Sequence, residues 1–597
     1  MSESFTAAEV SRVPTYFHAG SNELFGWYHH APGTAQQNCV AVICNPVGYE
    51  YAHCHRSIRH LADRLANCGV PTMRFDYSGT GDSPGNDTDP DRIDNWINDI
   101  EGAVSYARLV SEQARVCLIG IRFGATLAAF AAERILPEAL ILWNPCVSGR
   151  RFLRELQVIA SAAADSLPGA DENALESAGF VFTKETVLQL SAMDMLDLSF
   201  SGAGEILLLS RDDVAPDSGF VTHLKKHGAS VDFQAVPGYA GMVAEPQFTI
   251  LPVLAFDAIA AWLSARTTPV KLYGSVPETL CRSSISFKAG AIDGEQIQEV
   301  ICTFGNRRQL FGILTNGGSR ANRPAIVLFN AGCVHHVGPN RLYVTLARAL
   351  ADAGFSTFRF DLESIGDSVL QGPGRENHPY PDSAVADARA ALAYLKQHFG
   401  LQRFILIGLC SGAHTAFHTA LQEDVYSVNE AILINPLTFQ WVEGMSLETV
   451  KQFGAVARYK KSVFSAQSWW KLLSGNVHLS SLFANVWRHS ITMVRARLHI
   501  VREMLFPHLG TRLSKQIRYL ISVKRPLTLV IAEGEPGRDL MMAEAPYIAN
   551  LAHQRGEMVT HHISGADHTF SRSGPRRQLI DYLCESLLRR YPDRPSS

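Results

Sequence analysis

The most restrictive feature of the chain is a repeat, because its two halves resemble each other over roughly 280 residues. The segment at 55–83 matches the segment at 340–368 without a gap, and both contain the block RFDxxxxGDS. The matched pairs are Arg56 and Arg341, Gly69 and Gly354, Arg74 and Arg359, Asp76 and Asp361, Asp82 and Asp367, and further on Gly120 and Gly408, and Asn144-Pro145 and Asn435-Pro436. A duplicated domain explains this agreement better than chance. The sequence therefore predicts two copies of one fold in tandem.

Short apolar runs alternate with amphipathic segments in the second copy, which predicts a mostly parallel sheet covered by helices on both faces. The expected strands are 325–330, 356–361, 403–408, 430–434 and 526–532, and the expected helices are 340–353, 383–398, 412–422 and one near 575–589. At 597 residues the chain is too long for one hydrophobic core. We therefore expect an α/β chain with two doubly wound domains, at 1–270 and 285–597, joined through the Pro-, Ser- and Gly-rich stretch 266–290.

Composition excludes several functional classes. The formal net charge of −3 gives no reason to expect nucleic-acid binding. The first residues do not have the pattern of a secretory signal, and the longest apolar stretch near a predicted boundary contains Asp257 and is too short to span a membrane. Eleven cysteines without a regular spacing predict reduced thiols and a cytoplasmic protein.

The sequence contains no motif that predicts a cofactor or a metal. In GTGDSPG, at 79–85, Pro84 occupies the position of the third glycine of a dinucleotide-binding loop, and no P-loop is present. The run AHCHR at 52–56 does not have the spacing of a standard metal site. We therefore expect neither a cofactor nor a metal ion.

The stretch FILIGLCSGAHTA at 404–416 predicts a strand, a tight turn flanked by glycines, and a helix, with a thiol at the tip. This is the elbow pattern of α/β-hydrolases, in which the two glycines let the strand and the helix pack closely. The helix N-terminus favours a thiolate at the tip. We expect Cys410 to be a nucleophile. The alternatives are a small core cysteine and attack by Ser411, one residue past the tip.

In this fold the nucleophile is followed in the chain by an acid and then by a histidine that acts as the general base. His568, in ISGADHTFSR, follows a strand-like segment near the end of the chain and has the expected position. His561 and His562 lie within that segment, and we expect them to be structural.

The acid of the triad is expected directly after the predicted strand 527–532. Three acidic residues follow this strand, Glu533, Glu535 and Asp539. We favour Glu535, because it aligns with Asp213 of the first copy, while the other two remain alternatives.

Backbone N–H groups are expected to hold the oxyanion of an acyl-transfer reaction. One is the N–H of Ser411, directly after the elbow tip. The loop LFNAGCVHHVG should supply the other, with Gly332 and Cys333 as the candidate donors. His335 of the same loop is a candidate for lining the substrate pocket, and an exposed loop histidine is the alternative.

The first copy keeps the elbow frame, GIRFGA, but Arg122 takes the position of the nucleophile. A guanidinium does not perform acyl transfer. The alignment also puts Gly241 opposite His568. We therefore expect a non-catalytic domain that shapes the pocket or recruits a partner. Arg122 is a candidate for binding a carboxylate or phosphate, and a structural ion pair is the alternative.

The GLCSGA elbow, the RFDxxxxGDS block and the GPNR start of a helix together resemble the α/β-hydrolases associated with exosortase A systems. The resemblance covers most of 300–590 and, more weakly, 15–265. The cysteine elbow is more distantly similar to the dienelactone hydrolases. The resemblance implies an α/β-hydrolase fold with a triad of Cys410, Glu535 and His568, and it names no substrate. Arg341 of the GPNR motif is a further candidate for substrate binding. The chain departs from the family in joining two copies, one of which lacks the triad.

The second copy has an insertion at 437–525 without a sheet pattern. Residues 441–525 contain 14 lysines and arginines against three acids, interleaved with apolar and aromatic residues. Position and length predict a helical lid. A basic, apolar lid would favour an acyl chain on coenzyme A or an acidic carrier protein, or peripheral contact with a membrane surface. A solvated positive face, or docking onto the acidic insertion of the first copy at 148–203, is the alternative.

These features together predict an enzyme that forms an acyl-enzyme on Cys410 and hydrolyses a small-molecule ester or thioester. An acyltransferase in polysaccharide or secondary-metabolite assembly is one alternative, because an acyl-cysteine can also react with an acceptor other than water. A binding protein without activity on a hydrolase fold is the other.

Overall fold

The computed structural model describes residues 10–30, 35–164, 174–214, 217–270, 278–288, 296–317, 323–371, 374–422, 427–442, 445 and 510–592. Each half of the chain contains one large, mostly parallel sheet flanked by helices. The predicted fold class, two tandem α/β domains, is therefore confirmed, while the boundaries at residues 270 and 285 stay predictions. Within the described ranges, none of the helices has the length and apolar character needed to cross a membrane.

The main sheet of the first half has eight strands. The strands of this half are β1 (Ser11–Ala19), β2 (Asn22–His30), β3 (Gln36–Gln37), β4 (Val40–Cys44), β5 (Thr72–Phe75), β6 (Val116–Ile121), β7 (Ala139–Trp143), β8 (Ala174–Ser177), β9 (Phe180–Thr183), β10 (Glu205–Arg211), β11 (Ser230–Val236) and β12 (Pro269–Val270). The sheet has the order β1-β2-β5-β4-β6-β7-β10-β11, and β12-β3 and β8-β9 form two small pairs. From β5 to β11 all neighbours are parallel.

Helices cover both faces of this sheet, because its central strands are apolar on both sides. Val40 and Val42 of β4 belong to one core, and Ala41 and Ile43 belong to the core on the opposite face. The helices of this half are α1 (Tyr49–Asn67), α2 (Arg92–Ser111), α3 (Phe123–Ile135), α4 (Gly149–Ala164), α5 (Lys184–Ala192), α6 (Ser218–Lys226), α7 (Tyr239–Met242) and α8 (Val253–Ser264). Helices α1 and α8 pack on one face, and α2 and α3 pack on the other.

The second half repeats this architecture with one additional edge strand. Its strands are β13 (Ser284–Lys288), β14 (Gln296–Phe304), β15 (Leu310–Asn316), β16 (Ala325–Phe329), β17 (Thr357–Phe360), β18 (Phe404–Leu409), β19 (Val428–Ile434), β20 (Leu527–Ala532) and β21 (Met558–Ile563). They form one sheet in the order β13-β14-β15-β17-β16-β18-β19-β20-β21. The pairs from β17 to β21 are parallel, so the carboxyl ends of these strands lie at one edge of the sheet.

Four of the described helices of the second half correspond to those predicted from the sequence at 340–353, 383–398, 412–422 and 575–589, and the other three were not predicted individually. The helices are α9 (Leu342–Asp352), α10 (Ala384–Phe399), α11 (Ser411–Ala420), α12 (Arg512–Ser522), α13 (Gly537–Glu544), α14 (Pro546–Gln554) and α15 (Ser573–Arg590). The predicted lid at 437–525 lies largely outside the described residues, which here include 437–442, 445 and 510–525. Helix α12 lies within the predicted lid. The predictions about the lid's other helices concern residues outside the described part of the chain, and those about its partners stay predictions.

Equivalent aromatic residues of the two halves contact each other. Phe25 of β2 and Phe311 of β15 occupy matching positions of the repeat, and their ring centroids are 6.2 Å apart. The ring of Trp27 lies 4.6 Å from that of Phe311. Contact between equivalent residues is typical of an interface with approximate two-fold symmetry. The two halves therefore pack against each other through the same face of the repeated fold.

The repeated RFDxxxxGDS blocks exchange ion pairs across this interface. The guanidinium of Arg74 contacts the carboxylate of Asp367, and the guanidinium of Arg359 contacts the carboxylate of Asp82. Arg359 also binds Glu299 of β14 at 3.0 Å. All five side chains are buried. Each half therefore supplies the positive charge that neutralises an aspartate of the other half.

Two histidines also bind aspartates of the repeated blocks. His336 binds Asp361 of its own half through Nδ1 and Asp82 of the other half through Nε2, each at 2.7 Å. Burial would lower the pKa of His336, but the two carboxylates raise it to about 10. His55 of α1 binds Asp367 at 3.2 Å. The imidazolium of His336 therefore bridges the halves as a further buried cation.

Replacing Arg359 with Met is expected to lower the free energy of unfolding by about 3 kcal/mol, the lower end for a broken buried ion pair. The loss is limited because Asp82 keeps His336 and Glu299 keeps Arg348 as partners. The matched control is Arg134→Met, which removes one side of an exposed pair with Glu101 and should cost at most about 1 kcal/mol. Urea unfolding midpoints measure both variants. Equal losses in the two would contradict the importance of the exchanged pair.

Candidate active site

Cys410 lies at the tip of a strained turn between β18 and α11. Its φ of 59° and ψ of −117° are values that residues other than glycine rarely adopt. A Cβ at Gly408 would lie 2.0 Å from the backbone of Gly412, and a Cβ at Gly412 would lie 2.6 Å from the carbonyl oxygen of Phe329. Only glycine fits at both positions, so the turn presents the half-buried thiol at the carboxyl edge of the sheet.

His568 and Glu535 meet at the same edge of the sheet. Glu535 follows β20 and His568 follows β21, and these neighbouring strands are parallel. The Nδ1 atom of His568 lies 2.8 Å from Oε2 of Glu535. The carboxylate of Glu533 instead accepts a hydrogen bond from the N–H of Gly565 at 3.1 Å, and Asp539 lies in the first turn of α13. Of the three acids that the sequence offered, Glu535 is the one that contacts the histidine.

The electrostatics of His568 link it to the thiol. Burial by itself lowers the pKa of His568, but the negative charge of Cys410 and then the contacts with Glu535 raise it to about 10. Among the residues that the structure describes, the buried Nε2 atom has no hydrogen-bond partner of normal geometry. With a negative charge on Cys410, the ring is therefore protonated at neutral pH, and Nε2 has a proton that it can share with the thiolate or give to a bound molecule.

Asn435 holds the histidine loop in place. Its Nδ2 donates a hydrogen bond to the carbonyl oxygen of His568 at 2.8 Å, and its Oδ1 accepts one from the N–H of Ala532 at 2.7 Å. Asn435 thus joins the ends of β19 and β20 to the segment that carries His568. The sequence identified this residue as part of the repeat, as Asn435-Pro436, but gave no indication of this positioning role.

The hydroxyl of Ser411 points into the loop after β16. Its Oγ accepts a hydrogen bond from the N–H of Gly332 at 2.8 Å and lies 3.5 Å from the carbonyl oxygen of Asn330. The backbone N–H of Ser411 lies in the first turn of α11, where helices have no internal acceptor. Gly332 borders the same cavity as Cys410, whereas Cys333 is buried and does not line it. Ser411 is therefore the best placed of the three expected backbone donors.

A cavity of about 630 Å³ opens in front of these groups. Its lining includes Cys410, His568 and Glu535 from the second half. The first half contributes one side of the lining, which includes Tyr49, Ala52, His53, Phe180, Glu245 and Gln247. Ala52 and His53 belong to the AHCHR run, whose pattern suggested at most a metal site, and no motif marked the other four, because a motif does not show which distant segments share a cavity. The space in front of Cys410 is therefore formed by both halves.

Two of the expected substrate-binding residues lie elsewhere. The guanidinium of Arg341 donates hydrogen bonds to four carbonyl oxygens of the first half's loop 79–85, at 2.5 to 2.9 Å. His335 is buried between the halves, where its ring stacks on that of His55 at 3.9 Å. These positions correct the sequence-based expectation, since the interface between the halves already uses both side chains.

Arg122 of the first half has the same strained backbone as Cys410, with φ of 53° and ψ of −121°. It lies in a separate cavity of about 440 Å³. Its Nε binds the buried carboxylate of Glu50 at 3.1 Å, and one Nη atom contacts Glu155. The structure thus brings Arg122 into an ion pair and does not bring it near His568.

One group of side chains has the geometry of a metal site. The ligand atoms of His336, Asp361 and Asp367 lie within 4.8 Å of one another. Both ring nitrogens of His336 already contact carboxylates, and Asp367 is bound by Arg74 and His55. These contacts make the group part of the interface between the halves rather than a metal centre.

The parallel sheet, the strained elbow after β18, and an acid and a histidine after the next strands define the α/β-hydrolase class. The family model described as serine aminopeptidase, S33, matches residues 50–197 and 321–489, just over half of the chain. The chain belongs to this hydrolase family. Each matched range covers part of one copy of the repeat, and the ranges include both elbow tips, Arg122 and Cys410.

Solved structures with a similar fold come from several organisms. Est1E from Butyrivibrio proteoclasticus is 16% identical, with 42% of this chain and 98% of that protein covered and a TM-score of 0.32. The α/β serine hydrolase XC6422 from Xanthomonas campestris is 15% identical, with coverage of 44% and 97% and a TM-score of 0.29. The Pyrococcus furiosus esterase Pf2001 is 14% identical, with coverage of 43% and 91% and a TM-score of 0.31. No curated protein matches the sequence.

Replacing Glu535 with Gln is expected to lower the pKa of His568, because an uncharged amide stabilises the imidazolium less than a carboxylate does. The proton affinity of the ring should fall roughly tenfold, so the imidazolium should lose its proton at lower pH. NMR titration of ¹⁵N-labelled histidine rings measures this. Glu533→Gln, which changes an acid of the same loop, should leave the pKa near that of the wild type, and an equal shift in both variants would contradict the assignment.

Proposed function

We propose that the second half hydrolyses a small-molecule ester or thioester through an acyl-enzyme on Cys410. The observation that supports this proposal is that a thiol on a strained elbow and a histidine held by Glu535 border one cavity. Covalent catalysis needs a nucleophile, a base beside it, and a group that orients the base. Cys410, His568 and Glu535 are suited to these three roles.

The first step is a proton transfer. Nε2 of His568 takes the proton from Sγ of Cys410, which produces a thiolate and an imidazolium. Glu535 accepts a hydrogen bond from Nδ1 and thereby keeps Nε2 free to receive the proton. The raised pKa of His568 favours the charged pair. The positive N-terminus of α11 lies beside the thiolate and stabilises it further.

Attack on the substrate follows. A bond forms between Sγ of Cys410 and the acyl carbon, while the electron pair of the C=O bond moves onto the oxygen. The N–H of Ser411 donates a hydrogen bond to this oxyanion. When the C=O bond forms again, the leaving group departs, and an alkoxide takes the proton held by His568. The acyl group is now a thioester on Cys410.

Water completes the cycle. His568, now neutral, accepts a proton from a water molecule, whose oxygen attacks the acyl carbon. The second oxyanion collapses, Cys410 leaves as a thiolate and recovers its proton, and the carboxylic acid is released. An acceptor hydroxyl or amine in place of water would give acyl transfer instead, by the same bond changes.

A thiol suits thioester substrates as well as esters. Exchange of one thioester for another is close to isoenergetic, so Cys410 can take an acyl group from a thiol carrier without a large barrier from the leaving group. The family description names a serine enzyme. In this chain a cysteine occupies the elbow tip, and the neighbouring hydroxyl of Ser411 is engaged by Gly332.

We further propose that the first half is not catalytic and serves as a wall of the substrate cavity. Arg122 stands where its nucleophile would be, and the ion pairs with Glu50 and Glu155 hold that side chain. The sequence alignment leaves Gly241 opposite His568, so a base is missing as well. What this half contributes to the cavity of Cys410 is shape, through α1 and through the segments 178–180 and 245–247.

Brief exposure of the protein to acyl-CoA thioesters and p-nitrophenyl esters is expected to add the mass of one acyl group to Cys410, because the acyl-enzyme forms before water releases it. Intact mass spectrometry measures the gain and its decay. Cys410→Ala should show no adduct, whereas Cys584→Ala, which removes another half-buried thiol, should behave as wild type. No adduct across the panel would favour the binding protein, and faster decay with added alcohols or amines would favour acyl transfer.

Replacing Ala52 of α1 with Phe should reduce the activity on long acyl chains more than on acetyl esters. The added ring would occupy part of the cavity of about 630 Å³ that both halves line. We expect the ratio of kcat/KM for octanoyl over acetyl esters to fall about tenfold, the effect of an adverse contact of about 1.4 kcal/mol. An unchanged ratio would contradict the role of the first half as a wall.

A further inference from the structure

Tyr380 is one of the residues that line the cavity of Cys410. The residue is buried, at 6% exposure. Its Oη has no hydrogen-bond partner within the described part of the chain. Burial of a polar group without a partner is unfavourable, so such groups in native proteins call for an explanation. A ligand in the adjoining cavity would provide one, because Tyr380 and Cys410 line the same space.

The ring of Tyr380 is fixed relative to the elbow. It stacks on the ring of Trp441 with centroids 4.1 Å apart and planes 7° apart. The edge of His414 meets it at 5.4 Å and 88°. His414 lies on α11, one helical turn after Cys410. The helix that carries the thiol therefore also helps to orient the phenol, as a preorganised hydrogen-bond donor requires.

The hydroxyl of Tyr380 remains a donor at neutral pH. Burial raises the pKa of Tyr380, and the negative charge of Cys410 raises it further. The phenol therefore keeps its proton while the thiolate is present. A protonated hydroxyl that interacts with the charge on Cys410 is suited to stabilise the negative charge that develops on the substrate oxygen when the thiolate attacks.

The site needs such a donor. An oxyanion is normally held by two hydrogen bonds, one of them from the loop after the first core strand. In this chain the N–H of Gly332 in that loop is directed to Oγ of Ser411 at 2.8 Å. Cys333, the other expected donor of the loop, does not line the cavity. Among the donors expected from the sequence, this leaves the backbone N–H of Ser411.

We propose that Tyr380 is a catalytic residue that completes the oxyanion site. As the bond between Sγ of Cys410 and the acyl carbon forms, the C=O electron pair moves onto the oxygen, and the Tyr380 hydroxyl donates a hydrogen bond to that oxygen. The phenolic proton stays on Tyr380 throughout. This inference rests on the proposed acyl-enzyme function and adds to it a side chain that no motif indicated.

The test compares Tyr380→Phe with the wild type on p-nitrophenyl butyrate. We expect kcat/KM to fall about 100-fold, within the usual range for loss of one oxyanion donor. Inhibition by butyraldehyde, which forms a tetrahedral hemithioacetal on the thiol, should weaken by a similar factor. Alkylation of Cys410 by iodoacetamide should keep its wild-type rate, because this reaction forms no oxyanion. A merely structural role would change all three measurements together.

Two further variants control for loss of structure. Tyr77→Phe removes a buried phenolic hydroxyl from the first half, and it should leave kcat/KM unchanged. Incorporation of 3,5-difluorotyrosine at position 380 keeps the hydroxyl and makes it more acidic, while adding two fluorine atoms beside it, so it should restore part of the activity that Phe loses. An analogue that is as inactive as Tyr380→Phe but has the urea unfolding midpoint of the wild type would overturn the hydrogen-bonding role of Tyr380.

The remaining outcomes separate this inference from the proposed function. If the wild type is acylated on Cys410 and the Tyr380→Phe variant is equally active, the inference about Tyr380 is overturned, while the proposal of an acyl-enzyme still stands. A wild type that neither forms an adduct nor turns over any ester overturns both. A selective loss of kcat/KM and aldehyde affinity, with normal alkylation, supports both.

Discussion

The exchange of arginines and aspartates between the halves underlies the rest of the structure. A charge buried without a partner is strongly unfavourable, so the aspartates at 82 and 367 require the arginine of the other copy. The same block anchors the loop beside the thiol. Asn330 and the backbone N–H of His336 both donate to Oδ1 of Asp361, at 2.8 and 2.7 Å. The interface between the halves and the loop beside the thiol therefore belong to one connected network of ion pairs and hydrogen bonds.

The two elbow turns share a backbone conformation but differ in the chemistry of the residue at the tip. Cys410 and Arg122 share nearly the same φ and ψ, and the strand and the helix around each are equivalent. The conformation is thus a property of the duplicated fold and its glycines, not of catalysis. What differs is the side chain at the tip and its surroundings. A thiol beside a histidine can be activated, whereas a guanidinium between two carboxylates forms a stable ion pair.

The sequence predicted the parts of the site that depend on local backbone and chain order. Glycine spacing located Cys410, and the order of strands located His568 and Glu535, which the structure brings into contact. The prediction that Arg341 binds substrate was wrong because a repeat shows that a residue is retained but not what it contacts. The hydrogen-bond partners of Arg341 lie about 260 positions away in the chain. Tyr380 belongs to no motif, since its position depends on packing against distant rings.

In the proposed mechanism α1 of the first half borders the cavity without joining in bond formation, so the duplication separates two selective pressures. In a single-domain enzyme, residues around the nucleophile must serve both reaction and recognition. Here mutations around Ala52 can alter which molecules fit while Cys410, His568 and Glu535 stay unchanged. In the proposed mechanism, the copy with Arg122 at its elbow tip therefore provides a surface on which substrate preference can evolve without change to the reacting groups, provided that the charges shared between the halves are kept.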